Sequence, residues 1–470
     1  MPLLLASVSH KYLLRRVALS LLLFTTAWSI GSLHYSFPNL PQKGLTGRAL
    51  VHIDQISLHH SLFGTRWVYR CQLKRFYPET EVLSIVSSLP CSILLPSLYT
   101  RGEPRPPGNC DYWVTGALTQ GPQDDYRLKV KALTPWIAIP GSWSWAESRH
   151  QWKQNLHDWI ASHFSDRLNA SFLSGLATGE FDNPWMRGQF SRFGLQHLLA
   201  ISGFHFAIVA AFLDFGLRLF MPRPLRFITL LLCLTTYCFF LGPQASIVRA
   251  WIMCSSTVIG GLIHKQATAL NTLGLALLIV LGYNPLLCQE LSFQLSFAAT
   301  AAILFFYRPV HAYLCSLWPK RSLSEVIQMN AWHQHGYCIL AFFRQGLALG
   351  LAVNILALPL TLYYFQQFPW MGFLYNLFFP FLSSGSMCLL ILGGICSFVP
   401  FLADKIHQVN ETYTTALLRL VHQIPPNIDH YLTTEFFSPL WIVLYFCFAG
   451  LAGILWKQRA SSEEGDFSFI

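Results

Sequence analysis

Phe193–Ala211, FGLQHLLAISGFHFAIVAA, is an apolar run interrupted by Ser202-Gly203 and bracketed by His197 and His205. Nowhere else does the chain mix polar groups with lipid-type residues so densely. In hydrocarbon every backbone N–H and C=O has to be paired within the protein, so a Ser-Gly break at membrane depth is tolerated only against protein or a water-filled cavity. Two readings follow. One is a kinked helix buried among others, since Ser and Gly are common in packed membrane helices; the other is a discontinuous helix whose ends line a polar path. His197 and His205 stand about 80° apart round an ideal helix, so they share no ligand face and no metal is expected there.

Composition sets the class around this stretch. Of 470 residues, 53% are hydrophobic, 15% aromatic and only 11% charged, with a mean hydropathy of +0.40. A soluble chain carries about 25% charged residues, so most of this one sits in lipid. The net charge of +10 is spread over loops and one soluble insert with no long basic run. It permits a polyanionic partner without requiring one, because juxtamembrane Lys and Arg that hold topology account for most of it.

In chain order, residues 1–16 form a cytoplasmic start in which Lys11, Arg15 and Arg16 precede an uncharged run. The run over 17–33 is longer than a signal-peptide core and ends in a poor cleavage site, so it reads as an uncleaved membrane anchor. Residues 44–170 change character. Thr65–Leu73, Tyr112–Leu118 and Tyr126–Ala132 alternate β-branched and aromatic residues with polar ones, as short strands of a small barrel or sandwich do. Pro90–Pro107 reads as a long loop. Ala146–Leu168 reads as an amphipathic helix, either at a membrane interface through Trp152, Trp159, Phe164, Lys153 and Arg167 or a solvated connector.

Residues 171–456 hold recurring apolar segments at about 195–217, 226–242, 246–263, 268–283, 289–307, 345–364, 371–400 and 438–456, each single span near the roughly 20 residues a crossing needs. Basic loops place 308–340 and the tail 457–470 in the cytoplasm, and 45–165 and 401–436 outside. One crossing over 371–400 would put Lys457 and Arg459 outside, so that segment, with Pro380 and Ser383-Ser384-Gly385 at its middle, reads as a broken or re-entrant pair. The fold class is therefore a polytopic α-helical membrane protein of about 8–10 membrane segments, some discontinuous, with a small extracytoplasmic β-rich domain.

Charged groups inside spans default to functional hypotheses. Arg249 either snorkels to the interface or lines a pore where its fork meets a phosphate. Gln294, Ser296 and Asn354 are neutral polar groups on apolar faces, suited to interhelical hydrogen bonds or to a path. Of the twelve cysteines, Cys71, Cys91 and Cys110 fall in the exported domain, and no pairing follows from their order.

Gly175–Gly179 (GLATG), His197–His205, Ser246–Met253 (SIVRAWIM), Asn284-Pro285, Leu291–Ala298 (LSFQLSFA), Asn354–Pro359 (NILALP) and the segment Gly372–Gly385 follow one another in register. Together they resemble the ComEC family, inner-membrane proteins of natural competence that pass single-stranded DNA into the cell. The resemblance covers about residues 170–400. It implies transport of single-stranded DNA through the bacterial inner membrane, with His197, Ser202, Gly203, His205, Arg249, Gln294, Ser296 and Asn354 as motif and path residues. It also implies an OB-like domain over 44–170, where Trp67, Arg70 and Trp113, with Arg66, Tyr69, Lys74 and Tyr112, would contact DNA as aromatic platforms in a basic groove.

Many relatives end in a metallo-β-lactamase-like domain with a His-x-His-x-Asp-His zinc signature. Here the only His-x-His, His333 and His335, lies in what reads as a polar loop without the Asp-His, so no zinc hydrolase, metal or cofactor is expected in this chain. No Walker lysine motif or Gly-x-Ser-x-Gly elbow occurs. The resemblance then requires a separate helicase-type motor and a separate nuclease, and leaves a homo-oligomer open. The alternatives are a transporter of a small or lipid-linked solute and a non-transporting envelope scaffold on the same fold.

Overall fold

The computed structural model of the chain describes residues 44–61, 64–79, 89–100, 103–121, 126–131, 134–181, 183–195, 203–265, 267–423, 430–435 and 438–466. The expected anchor at 17–33, the start before it, His197 and Ser202 lie outside the described residues. The chain divides into two units, 1–148 and 149–470.

Strands build the first unit: β1 (Leu45–Ser61), β2 (Gly64–Pro78), β3 (Leu89–Leu94), β4 (Tyr112–Gln120), β5 (Tyr126–Val130) and the short β6 (Ile137–Ala138). β1 pairs with β2, β2 with β3, β3 with β5 in parallel, β5 with β4, and β4 again with β1. Five strands thus close on themselves as an OB-like barrel. Alternation fills its interior, because Ala49, Val51 and Ile53, Tyr69, Cys71 and Leu73, Cys91 and Ile93, and Val114 and Leu118 are all buried. Register shifts at Leu50/Val51 and Ile53/Gln55 bend the long β1 so that it serves both neighbours.

The three alternating stretches seen in the sequence fall within β2, β4 and β5, whereas the expected loop Pro90–Pro107 is corrected at its start. Pro90 is the second residue of β3, a position where a missing N–H is tolerated, and Leu89, Cys91 and Ile93 supply the inward period.

α1 (Ala146–His163), whose first three residues belong to the first unit, α2 (Arg167–Thr178) and α3 (Pro184–Arg192) precede the long helices of the second. The expected single helix over Ala146–Leu168 is two. Asp166 accepts from Leu168 N–H and starts α2, while Glu411 accepts the N–H groups of Ser165 and Asp166. Neither Lys153 nor Phe164 faces a membrane surface. Phe164 is core, and Lys153, 5% exposed, donates to Glu180 and to the Leu241 carbonyl.

The remaining helices are α4 (Gly203–Phe220), α5 (Arg223–Leu241), α6 (Ala245–Leu262), α7 (Ala269–Tyr283), α8 (Leu291–Leu317), α9 (Leu323–Gln328), α10 (Ala331–Phe365), α11 (Met371–Ile395), α12 (Pro400–His422) and α13 (Pro439–Asp466). Among the described residues six helices, α4, α5, α6, α8, α10 and α11, are long and apolar enough to cross a membrane. Apolar clusters join α4 with α5 and α6, α6 with α7 and α8, and α8 with α10 and α13. A fourth gathers α2, α3, α11 and α12. Because α6 and α8 each belong to two clusters, the region between them is the hub of the unit.

Two sequence expectations fail here for identifiable reasons. The polar stretch around His333 and His335 is no loop but the first turns of α10, which runs unbroken for 35 residues. Buried Arg344 on this helix donates to the carbonyls of Trp318 and Pro319 at the end of α8, which ties the two helices together beyond their apolar parts. Nor is 371–400 a broken pair: α11 continues through Pro380, with Ser383 and Ser384 donating to the Pro380 carbonyl. The return leg is α12, packed on α11 through Ser386, Asn410 and Thr414. Strands β7 (Gln367–Pro369) and β8 (Tyr431–Thr433) pair, so α11 and α12 leave from and come back to one place.

Candidate functional site

Arg249 lies in the second turn of α6 and is 7% exposed. Its Nε donates to Ser296 Oγ at 2.9 Å, Nη1 donates to Thr300 Oγ1 and reaches Met253 Sδ at 3.8 Å, and the guanidinium carbon stands 6.0 Å from the Phe297 ring centroid. Ser296 and Thr300 are one turn apart on α8, and Thr300 Oγ1 donates to the Ser296 carbonyl, which leaves its lone pairs for Arg249. On the third side is α4. A Cβ built on Gly203 would stand 2.6 Å from Arg249 Nη2, so the guanidinium lies against the start of that helix and any side chain there would make it shift.

Among the described residues no carboxylate pairs with Arg249. Hydroxyls accept from its Nε and Nη1 but do not neutralise it, and a guanidinium held away from water without a counter-charge costs several kcal/mol. Groups kept at that cost in a membrane are characteristically on ion or substrate pathways.

The expected path residues divide. Gly203, Arg249 and Ser296, from three separate motifs, meet in one cluster, and buried His205 follows within the first turn of α4. His197 and Ser202 lie outside the described residues. Gln294 instead joins α8 to α10, accepting from Tyr364 Oη at 2.8 Å and donating to the Cys288 carbonyl, while Asn354 donates to Gly350 of its own helix. Both are helix fastenings remote in bonding from Arg249. Thr300 and Met253 were missed, although each lies four residues beyond a named partner, Ser296 and Arg249 respectively, the spacing that puts two side chains on one helical face.

In the barrel the three expected contacts do not form one platform. Trp67 has the inward parity of Tyr69 and Cys71 and is covered by Arg105, whose guanidinium carbon is 4.8 Å from its ring. Arg105 in turn makes a two-pronged pair with Glu147. Arg70 points outward from β2, whereas Trp113 points outward from β4, on the far side of β1. There Trp113 lies 5.7 Å from Tyr77, and the register sets Leu50 between Trp113 and Arg75 and Arg48 beside Tyr77. The open aromatic and basic face is thus Arg48, Arg75, Tyr77 and Trp113. Alternation could have found it, had β1 been read as a strand.

The family model for Competence protein matches residues 179–460. The chain belongs to the competence protein family. ComE operon protein 3 of Bacillus subtilis (strain 168) is 29% identical over 171 residues, a match that covers 36% of this chain and 22% of that relative. No solved structure matches. The family match takes in α4 to α12, and with them the three helices that carry the Arg249 cluster.

Proposed function

We propose that the protein conducts single-stranded DNA across the bacterial inner membrane during natural transformation, and that Arg249 meets the phosphates in transit. The observation that carries this reading is a buried guanidinium held by Ser296, Thr300 and Met253, with no carboxylate among the described residues and with the α4 backbone brought close at Gly203. A fork fixed by hydroxyls is ready to donate to a passing phosphate oxygen, and each phosphate is replaced by the next, so the charge need not be paired permanently.

The barrel lies outside the membrane in this reading and receives the strand. Its Tyr77 and Trp113 offer rings on which bases stack without being read, with Arg48 and Arg75 beside them for the backbone. The β7–β8 ribbon lies on the outer side, and 308–340 and the C-terminus face the cytoplasm, as the basic residues of 308–344 and Lys457 and Arg459 ask. A helicase-type motor and a nuclease act as separate partners.

Uptake of labelled DNA, normalised to protein in the membrane, tests the reading in Arg249→Lys and Arg249→Gln. A phosphate contact predicts a graded loss at constant abundance, Gln worse than Lys, because an ammonium keeps the charge but not the fork. Equal uptake in all three proteins removes Arg249 from the path, and a loss that only follows abundance makes its role structural.

A further inference from the structure

His407, on the inner face of α12, is 3% exposed, and neither of its ring nitrogens has a hydrogen-bond partner among the described residues. A buried polar group left unpaired costs free energy, so the ring is held there by what surrounds it. Trp159, His163 and Phe164, at the end of α1, stand 5.6, 5.1 and 5.4 Å from it between ring centroids. Gly393 of α11 closes the floor of this box, since a Cβ built there would come within 2.5 Å of His407 Cε1. The box accommodates a neutral imidazole and offers a charged one no acceptor. Burial, and after it the neighbouring His163, push the pKa of His407 below its ordinary value, and Asp404, one turn earlier on α12, offsets this only in part. His163 is exposed, and its Nδ1 lies 2.8 Å from the Trp159 carbonyl. A carbonyl only accepts, so Nδ1 donates there and Nε2 is the site left for a proton. Glu411, one turn beyond His407, is engaged with the N–H groups of Ser165 and Asp166, the Asp166 carboxylate takes the N–H of Leu168, and α11 presents backbone at Gly393.

We propose that His407 is an acid-sensitive latch between α1 and α12: neutral, its ring fills the box and holds the end of α1; protonated, it withdraws and lets that end loosen. The sign follows from burial. Within the box His407 takes up a proton less readily than in water, so the closed contact is at full strength above the ordinary imidazole value near pH 6.5 and weakens as pH falls below it. Charge on His163 acts in the same direction, because two imidazolium rings 5.1 Å apart repel. A protonated histidine that biases a two-state contact is the usual form of a pH sensor. Glu411 keeps the start of α2 on α12, so the opening stops at Asp166. Because α1 carries the chain from the barrel to the helices of the second unit, acid loosens part of the segment that joins the two. The latch belongs to the helices and is independent of what the protein carries.

The test is hydrogen–deuterium exchange of the full chain in detergent at about pH 7.5 and about pH 5.5, on either side of the ordinary imidazole value, with each rate corrected for the intrinsic effect of pH. Peptides from the end of α1, residues 157–164, should lose protection several-fold on acidification while α2, α6 and α8 keep theirs. In His407→Phe, a ring that cannot titrate, the loss should vanish. His407→Gln, smaller and equally unable to titrate in this range, is held to the same criterion where the Phe ring crowds Gly393. His163→Gln should keep the loss at a reduced size. Equal protection at the two pH values in the wild type overturns the proposal, as does an undiminished loss in both His407 variants. A loss spread evenly over all helices overturns it too, since that is general acid unfolding, and a loss abolished by His163→Gln but not by the His407 variants would assign the sensing to His163 instead. No DNA takes part, so a failure here and a failure of the uptake test above are separate results.

Discussion

Arg105 in the barrel and Arg249 in the membrane unit are both largely withdrawn from solvent, and they are treated in opposite ways. Arg105, half-buried, is fully partnered: Glu147 takes its Nη1 and Nη2 at 2.9 and 2.7 Å, Tyr69 accepts from it, and Trp67 lies beneath it. Burial alone would lower its pKa, but the bonds to Glu147 and Tyr69 outweigh that and raise it. Arg249 has hydroxyls and a thioether where Arg105 has a carboxylate. A permanent counter-ion makes an arginine part of the scaffold. Among the described residues Arg249 has none, as the proposed contact with a passing phosphate requires.

The comparison is broken most severely by filling the space at Gly203. Gly203→Leu should abolish DNA uptake while the protein still inserts, because the new side chain displaces the guanidinium or the helix. Gly203→Ala should be milder, since the atom it meets is the mobile end of an arginine. Normal uptake with the Leu variant, measured against protein in the membrane, would make the junction mere packing.

Next in size is the barrel pair. Glu147→Gln leaves Arg105 half-buried without its charge partner, at a cost of about 2 kcal/mol once partial exposure is allowed for. Amides of β1 to β5 should then exchange about thirtyfold faster with deuterium where global opening governs them. Unchanged exchange would mean that the Arg105 pair is surface ornament.

Smaller again are the ring variants. Trp113→Ala and Tyr77→Ala should each weaken binding of a single-stranded oligonucleotide by about tenfold, as the loss of one stacked base does, without loosening the barrel. Trp67→Ala should do the reverse, and a Trp67 variant that lost binding with an intact barrel would return the platform to the side first inferred from sequence.

The smallest effect is acid dependence through Asp111. Burial pushes its carboxyl up, but hydrogen bonds from Lys74 and His52 outweigh that and hold it below the ordinary value. Its folded pKa being the lower one, it contributes stability above the unfolded carboxylate range near pH 4 and loses that contribution as pH falls through the folded value. Acid unfolding of the barrel should therefore lose part of its slope in Asp111→Asn, and an identical profile would dismiss the bond set.

Much of this was legible in the sequence, and the failures share a cause. Periodicity located β2, β4 and β5 because each buries one continuous face, the length of the apolar runs located the membrane helices, and the motifs carrying Gly203, Arg249 and Ser296 pointed to residues that meet. What periodicity lacks is the partner. Nothing in FQLSFAAT says that Ser296 turns to Arg249 while Gln294, two residues away and on another face, turns to Tyr364. Nor does Pro380 in an apolar run show that the return leg is α12, with Asn410 and Thr414 buried against Ser386. Trp67 and Trp113 look alike along the chain, and only closure of the barrel gives one inward parity under Arg105 and sets the other outward beside Tyr77.

The most direct test of the central claim alters the cargo and the protein together. Single strands carrying a block of uncharged methylphosphonate linkages would be compared with ordinary strands for uptake by wild type and Arg249→Gln, each normalised to protein in the membrane. If Arg249 meets phosphates in transit, neutralising them slows uptake in the wild type and costs clearly less in the variant, because the contact has already been removed. An equal proportional loss in both proteins would contradict the account, since the phosphates would then be recognised somewhere other than at Arg249.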